Sequence, residues 1–323
     1  MQYSSKAKLT FQQNNCFRVL CISDIHGGVG YDEENTVNYI ESVVQKSNPD
    51  LVLLLGDIAG PGIIHIENAE QLQQMLDELT APMEKRSLPW AHVFGNHDDN
   101  YGLPNSQAIH VYESYPCCYS VCDKVSKGDS DFYIPIYESN GESVRFCIYC
   151  FDSHRGCDDF AEEYGLSPDC PIVLPNKGGI DSGERGVDFS QVVDYYQTSK
   201  ALEAEQNRKI PAMAVMHVPL QELAWAEKNR EQTSFEGVLG EAVSCQYLNS
   251  GLFRAFVERG DVKAVCFGHD HENNVTASYC GILLANDGYL SCHASHTKET
   301  LGGRLFKINA ASGEITTEFI HID

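Results

Sequence analysis

Basic side chains are scarce in this 323-residue chain, with 23 Lys and Arg against 46 Asp and Glu and a formal charge of −23. Binding nucleic acid or anionic lipid by counterion release needs clustered Lys and Arg, so neither partner is expected. An anionic substrate remains admissible if metal ions reverse the sign locally. Long apolar runs are also missing. No stretch approaches the ~18 residues of a membrane helix, and Met1–Asn15 (MQYSSKAKLTFQQNN) has no apolar segment of the secretory type. These absences point to a cytoplasmic protein without a membrane partner. No inter-domain linker interrupts the chain, which reads as a polar lead-in (1–16) and a single domain (17–323).

Cysteine is plentiful, at 13 residues. The number is odd, the chain is long and no secretory address accompanies it, so most thiols are expected to be reduced. Cys147 and Cys150 form a C-x-x-C inside SVRFCIYCFD. That stretch reads as a strand, where positions three apart face opposite sides, so the pair is not expected to hold zinc or to cycle redox.

The 42% hydrophobic content is ample for a core, and its spacing is that of an α/β protein. Phe17–Ile22, Leu51–Leu55 and Trp90–Phe94 read as buried strands. Helical spacing over Glu33–Lys46 and Ile66–Met83 links them into β-α-β-α-β, for which a parallel sheet is expected. Residues 101–130 and 154–188 read as irregular insertions, the second expected to overhang the site. Between them, Asp131–Tyr137 and Ser143–Phe151 form a hairpin with Asn140-Gly141 in its turn. A helix over Phe189–Asn207 leads to strand Ile210–Met216, a helix starting at Pro219, a helix over Ser250–Arg259 and strand Val262–Phe267. Four further strands, expected antiparallel, are Val275–Tyr279, Ile282–Ala285, Arg304–Asn309 and Ile315–Ile320. A two-layered sheet core with helices outside fits this order.

Five of the apolar runs stop at chemistry. They end at Asp24 and His26, at Gly56-Asp57, at Gly95-Asn96-His97-Asp98-Asp99, at His217 and at Gly268-His269-Asp270-His271. Parallel strands deliver such residues to the carboxyl edge of the sheet, where α/β folds bind ligands. Singly, each residue has an ordinary reading as a cap or turn former. Jointly they form an inventory of oxygen and imidazole ligands, Asp24, His26, Asp57, Asn96, His217, His269 and His271, suited to Mn, Zn or Fe rather than to thiolate-bound structural zinc. Seven ligands are too many for one ion. Two ions ~3.5–4 Å apart need a bridging carboxylate, and Asp57 is the candidate. Such a pair can polarise phosphoryl oxygens and generate a hydroxide for in-line attack, with His97 supplying the leaving group's proton and Asp98 or Asp270 orienting an imidazole.

The blocks Asp24-x-His26, Gly56-Asp57, Gly95-Asn96-His97-Asp98, His217 and Gly268-His269-x-His271 resemble, in order and context, the calcineurin-like metallophosphoesterase superfamily. The stretches MHVPLQE and GDVKAVCFGHDHENN are similar to the branch of Dcr2-type phosphatases and plant purple acid phosphatase 29. The resemblance covers the chain from about residue 17 onward and implies a four-layer fold of two mixed sheets flanked by helices. It further implies that Asp24, His26 and His271 bind one metal, that Asn96, His217 and His269 bind the other, and that Asp57 bridges. Asn96 and His97 are implied as substrate contacts, His97 as acid. Purple acid phosphatases carry a tyrosinate ligand three residues after the aspartate, where this chain has Gly60, so an obligatory Fe³⁺ is not expected. The Asp-Arg-Gly of phosphoprotein phosphatases is absent too, which disfavours that class.

His154 and Arg155, beyond a strand end, are further candidates for contacting phosphate. His293 and His296 are placed near the site, whereas His65, His92 and His110 read as packed or surface residues and Tyr195-Tyr196 as core. The functional expectation is a phosphomonoesterase acting on a phosphorylated small molecule or phosphoprotein. The rivals are a phosphodiesterase on cyclic nucleotides or glycerophosphodiesters and a non-catalytic scaffold, although a scaffold would be expected to lose ligands and none is missing.

Overall fold

Strand residues alternate between two apolar environments, and this period of two builds the layers of the molecule. The computed structural model describes the chain apart from residues 13, 30–33, 61–65, 99–101, 123–125, 167–183, 294–295 and 323. Its strands are β1 (Leu9–Thr10), β2 (Cys16–Ile22), β3 (Leu51–Leu55), β4 (Trp90–Val93), β5 (Phe132–Tyr137), β6 (Val144–Cys150), β7 (Ala212–Met216), β8 (Val262–Phe267), β9 (Thr276–Tyr279), β10 (Ile282–Asn286), β11 (Gly302–Asn309) and β12 (Ile315–His321). The helices are α1 (Glu34–Ser47), α2 (Ala69–Leu79), α3 (Ala81–Glu84), α4 (Asn105–Glu113), α5 (Cys157–Glu163), α6 (Phe189–Gln206), α7 (Gln221–Lys228), α8 (Arg230–Thr233) and α9 (Leu252–Arg259).

The strands form two mixed sheets, a seven-stranded one ordered β1-β5-β6-β7-β8-β10-β9 and a five-stranded one ordered β12-β11-β2-β3-β4. Val19, Cys21, Leu53, Phe146, Ile148, Met213, Val215 and Cys266 fill the space between the sheets. The alternate residues Leu20, Ile22 and Leu54 face Ile40 and Val43 of α1 and Leu72 and Leu76 of α2. On the opposite outer face, Tyr149, Ala214, Met216 and Phe267 pack with Tyr195 of α6, Leu223 of α7 and Phe256 of α9. The result is the expected four layers, helix, sheet, sheet, helix. Cys147 packs on the outer face of its sheet and Cys150 on the inner, so the C-x-x-C is split as the strand period requires.

Four sequence expectations are corrected. The lead-in is part of the fold: β1 pairs in parallel with β5, and Leu9 and Phe11, two residues apart, are both buried. The expected helix over 66–83 is divided at Thr80 into α2 and α3, because Pro82 has no N–H to continue the ladder and the Thr80 hydroxyl takes the Leu76 carbonyl at 2.7 Å. Pro219 lies outside α7, whose N-cap is Leu220. Finally, β10 pairs antiparallel with β9 but parallel with β8, which brings its carboxyl end to the same edge as those of β7 and β8. Among the described residues no helix is long and apolar enough to cross a membrane.

The inter-sheet layer is where packing loss is costliest. Phe146→Ala is expected to destabilise the fold by about 3–5 kcal/mol, read from urea unfolding.

Candidate metal centre

The loops that carry the donor residues are continuations of the sheets. Beyond the last paired residues of β2 and β3, the Asp24 N–H donates to the Gly56 carbonyl at 3.1 Å, that of His26 to Asp57 at 2.9 Å and that of Gly27 to Ile58 at 2.8 Å. Across the other sheet, Gly268 N–H reaches the His217 carbonyl at 3.0 Å. In these loops Asp24, His26, Asp57 and His269 adopt left-handed backbones, with φ of +54°, +51°, +50° and +75°. Non-glycine residues in that region cost free energy and persist where surrounding structure over-determines them. Gly95 permits a close approach of its loop to Asp57, since a Cβ there would lie 2.2 Å from Asp57 Oδ1.

All seven candidate donors converge. Asp24, His26 and His271 offer ligand atoms within 4.8 Å of one another, as do Asp24, Asp57 and His217. The Nε2 atoms of His26 and His271 face each other at 3.1 Å, and His271 Nε2 is 3.0 Å from Asp24 Oδ1. His217 Nε2 lies 2.9 Å from Asn96 Oδ1 and 3.3 Å from Asp57 Oδ2, while His269 Nδ1 lies 3.1 Å from the same amide oxygen. His217 Nδ1–H donates to the Leu55 carbonyl at 2.7 Å, which fixes the ring with Nε2 inward. His97 stands at the mouth, about a third exposed, with Nε2 4.0 Å from Asp57 Oδ2 and its backbone N–H donating to Asp57 Oδ1 at 2.9 Å.

Charge is the dominant feature of this cluster. Burial opposes ionisation of Asp24 and Asp57, yet neighbouring imidazoles, His271 and then His217 for Asp24 and His217 first for Asp57, hold both carboxyls well below the ordinary range. Conversely, burial disfavours the His217 proton, but Asp57 and Asp24 outweigh it and push the pKa up to about 10. Burial dominates at His26 and His269, depressed to about 4 and about 3, so these rings keep a lone pair. Buried carboxylates, an amide oxygen and neutral imidazoles around one volume are a donor set that fits borderline divalent cations.

The surrounding residues depart from expectation in several places. Among the described residues Asp98 holds backbone rather than an imidazole; Oδ2 accepts the Asp57 and Gly95 N–H groups at 3.0 and 2.7 Å, and Oδ1 those of Ile58 and Ala59, both at 2.9 Å. It shapes the loop that presents Asp57. Asp270 likewise holds backbone, accepting from Ser244 N–H at 3.1 Å. The His154 ring Nε2 lies 3.1 Å from Gln191 Oε1. Arg155 is half-buried on the same loop, where the Ser153 hydroxyl accepts from Val218 N–H, next to His217. His296 Nε2 meets His271 Nδ1 at 2.8 Å, while the His293 ring lies against Cys292 Sγ. His92 stacks on Tyr112 and His110 meets Glu113 on the surface; His65 and residues 167–183 of the segment expected to overhang the site lie outside the described residues. Gly60, with φ of +104°, contributes no side chain where a tyrosinate would stand.

Two residues escaped sequence reasoning. Ser23 donates to Asp24, and Asp287 lies 2.8 Å beyond it. The signal was present, because Ile282–Ala285 is another apolar run that stops at polar residues, Asn286 and Asp287.

Two mixed sheets face to face, with such donors at the ends of their parallel strands, define the class of dinuclear-metal phosphoesterases. The chain belongs to the calcineurin-like phosphoesterase family, whose sequence profile it matches over residues 17–273. It is similar to the protein named "Probable inactive purple acid phosphatase 14" of Arabidopsis thaliana, 26% identical over 322 residues, covering 89% of this chain and 74% of that one. It is also similar to phosphatase DCR2 of Saccharomyces cerevisiae, 25% identical over 293 residues, covering 82% of this chain and 45% of that one. Among solved structures, a dimetal phosphatase from Danio rerio shares the fold with a TM-score of 0.57 at 12% identity, covering 93% of this chain and 98% of that one.

Two outcomes follow from this geometry. Gly95→Ala is expected to displace Asp57 and weaken Mn²⁺ binding by about 10–100-fold with the circular dichroism spectrum unchanged. For the metal-free protein, His217 contributes stability that is present below its ordinary pKa of 6.5 and lost as pH rises towards 10. Its melting temperature should therefore fall from about pH 8 to pH 10. Excess Mn²⁺ should reduce that fall, because binding a cation takes the place of the imidazole proton. An unchanged slope with Mn²⁺ would contradict this assignment.

Proposed function

We propose that the protein hydrolyses phosphoric monoesters at a dinuclear metal centre. The observation that supports this reading is the meeting of seven donors from five remote strand ends around Asp57, with His97 beside them at the mouth. In this reading Asp24, His26 and His271 hold one cation, Asn96, His217 and His269 the other, and Asp57 belongs to both. Mn, Zn or Fe suits the donor set, and Gly60 disfavours a tyrosinate-bound Fe³⁺ centre. A pair of cations held there would polarise the phosphoryl oxygens and lower the pKa of an attacking water.

The chain's own side chains do the remaining work. Asn96, with its amide oxygen among His217 and His269, has its amide nitrogen as the donor for a phosphate oxygen. His97 delivers a proton to the leaving oxygen as the ester bond breaks, releasing the alcohol and inorganic phosphate. Arg155 is the candidate cation for the far side of the phosphate. The substrate is a phosphorylated small molecule or a phosphoprotein. Eleven cysteines are free among the described residues, which supports a reducing compartment, and cytoplasmic residence is part of this proposal.

The name of the Arabidopsis relative raises the contrary reading, a fold that binds without catalysis. The full donor set in this chain favours activity. Turnover of p-nitrophenyl phosphate and of the bis-ester at matched Mn²⁺ tests both readings. The monoester is expected to be preferred, Asp57→Asn and His217→Ala to abolish hydrolysis, and His97→Ala to lower kcat by about 10²–10⁴-fold with metal content intact. Preference for the bis-ester would make the protein a phosphodiesterase, and bound metal with neither ester cleaved would establish the binding role.

A further inference from the structure

Asp24 is tied to the protein through one oxygen. Its Oδ2 accepts the His269 backbone N–H at 3.0 Å and the Ser23 hydroxyl, which leaves Oδ1 towards His26 and His271. The same hydroxyl lies 2.8 Å from Asp287 Oδ1, with a longer contact of 3.4 Å to the Gly288 carbonyl. Ser23, Asp24 and Asp287 are all fully buried.

Counting hydrogens decides how these three groups are joined. A hydroxyl carries one hydrogen and cannot donate it to two carboxylates at once. If both were ionised, one buried oxygen would face another with no proton between them, which is strongly unfavourable. A proton on Asp287 removes the conflict: its Oδ1–H donates to Ser23 Oγ, and Ser23 Oγ–H donates to Asp24 Oδ2. The charges of His217 and Arg304 favour an Asp287 anion, but burial and Asp24 outweigh them. Asp287 Oδ2 has no hydrogen-bond partner among the described residues, and Arg304 gives its Nε and Nη2 to the carbonyls of Asn286 and Asn274. Burial and the nearby charge of Asp24 push the Asp287 carboxyl well above its ordinary range.

We propose that Asp287 is a positioning residue of the metal centre, a neutral acid that acts through Ser23 to hold Asp24 with Oδ1 presented to the cation. This rests on the reading of Asp24 as a ligand. A neutral acid orients the ligand without adding a third negative charge to a pocket that already holds Asp24 and Asp57, both buried. Donors behind a ligand commonly set metal affinity through its orientation.

The test is Mn²⁺ affinity by titration calorimetry on the metal-stripped protein, with melting temperature as a fold control. Ser23→Ala and Asp287→Val are expected to weaken Mn²⁺ binding about 10–100-fold. Asp287→Asn, whose amide N–H still donates to Ser23 Oγ, should bind within about twofold of the parent, and adding it to Ser23→Ala should change nothing further. Loss in Asp287→Asn as large as in Ser23→Ala would overturn the proposal, as would parental affinity in Ser23→Ala. These two variants nearly conserve volume and decide the matter however well Asp287→Val folds. Asp24→Ala separates the two levels of inference: undiminished binding in that variant would refute the ligand reading itself, whereas its loss beside a parental Ser23→Ala would refute only the role of Asp287.

Discussion

Two carboxylates, Asp24 and Asp57, are withdrawn from water at the ends of adjacent parallel strands, and the structure depends on how their charge is answered. An uncompensated buried carboxylate is too costly to survive; it takes up a proton or finds positive charge. Here both stay ionised, because His217 and His271 face them and His217 is itself held protonated by the pair. A cation can take over that role with more charge in less space, and the neutral rings of His26 and His269 supply lone pairs for it. The metal site is thus the solution to an electrostatic problem that the fold creates.

Holding this arrangement requires backbone that would not stand alone. Four of the donor residues sit in left-handed conformations; Asp24 and His26 are pinned by hydrogen bonds that carry the sheet ladder past the strand ends, Asp57 by Asp98 from below, and His269 by Asp24 Oδ2. Gly95 supplies the close approach of one loop to the next that a side chain would prevent. Strain at the donors and regularity in the strands are therefore parts of one device. The rigid part of the sheet fixes where the strained part must go.

Much of this was legible in the residues. The period of two in CFRVLCI and AMAVM assigns the inner and outer faces, and each run stops at Asp or His where a parallel strand meets its loop. What escaped depends on distant partners. Asp98 looked like a ring-orienting carboxylate, but its acceptors are taken by four backbone amides, a choice that only the tertiary approach of residues 57–59 and 95 makes visible. Asp287 was passed over because β10 was expected to run antiparallel to its neighbours, which would have sent its end elsewhere; pairing with β8 reverses that. The edge strand β1 was hidden in a polar segment with only Leu9 and Phe11 to mark it.

Family membership implies a centre for two cations, and the proposed reading places one carboxylate, Asp57, between them. Anomalous diffraction at the metal absorption edge, from crystals grown with Mn²⁺, tests that claim most directly. The account predicts two peaks, one among Asp24, His26 and His271 and one among Asn96, His217 and His269, with the Asp57 carboxylate between them. A single peak, or peaks away from Asp57, would contradict it.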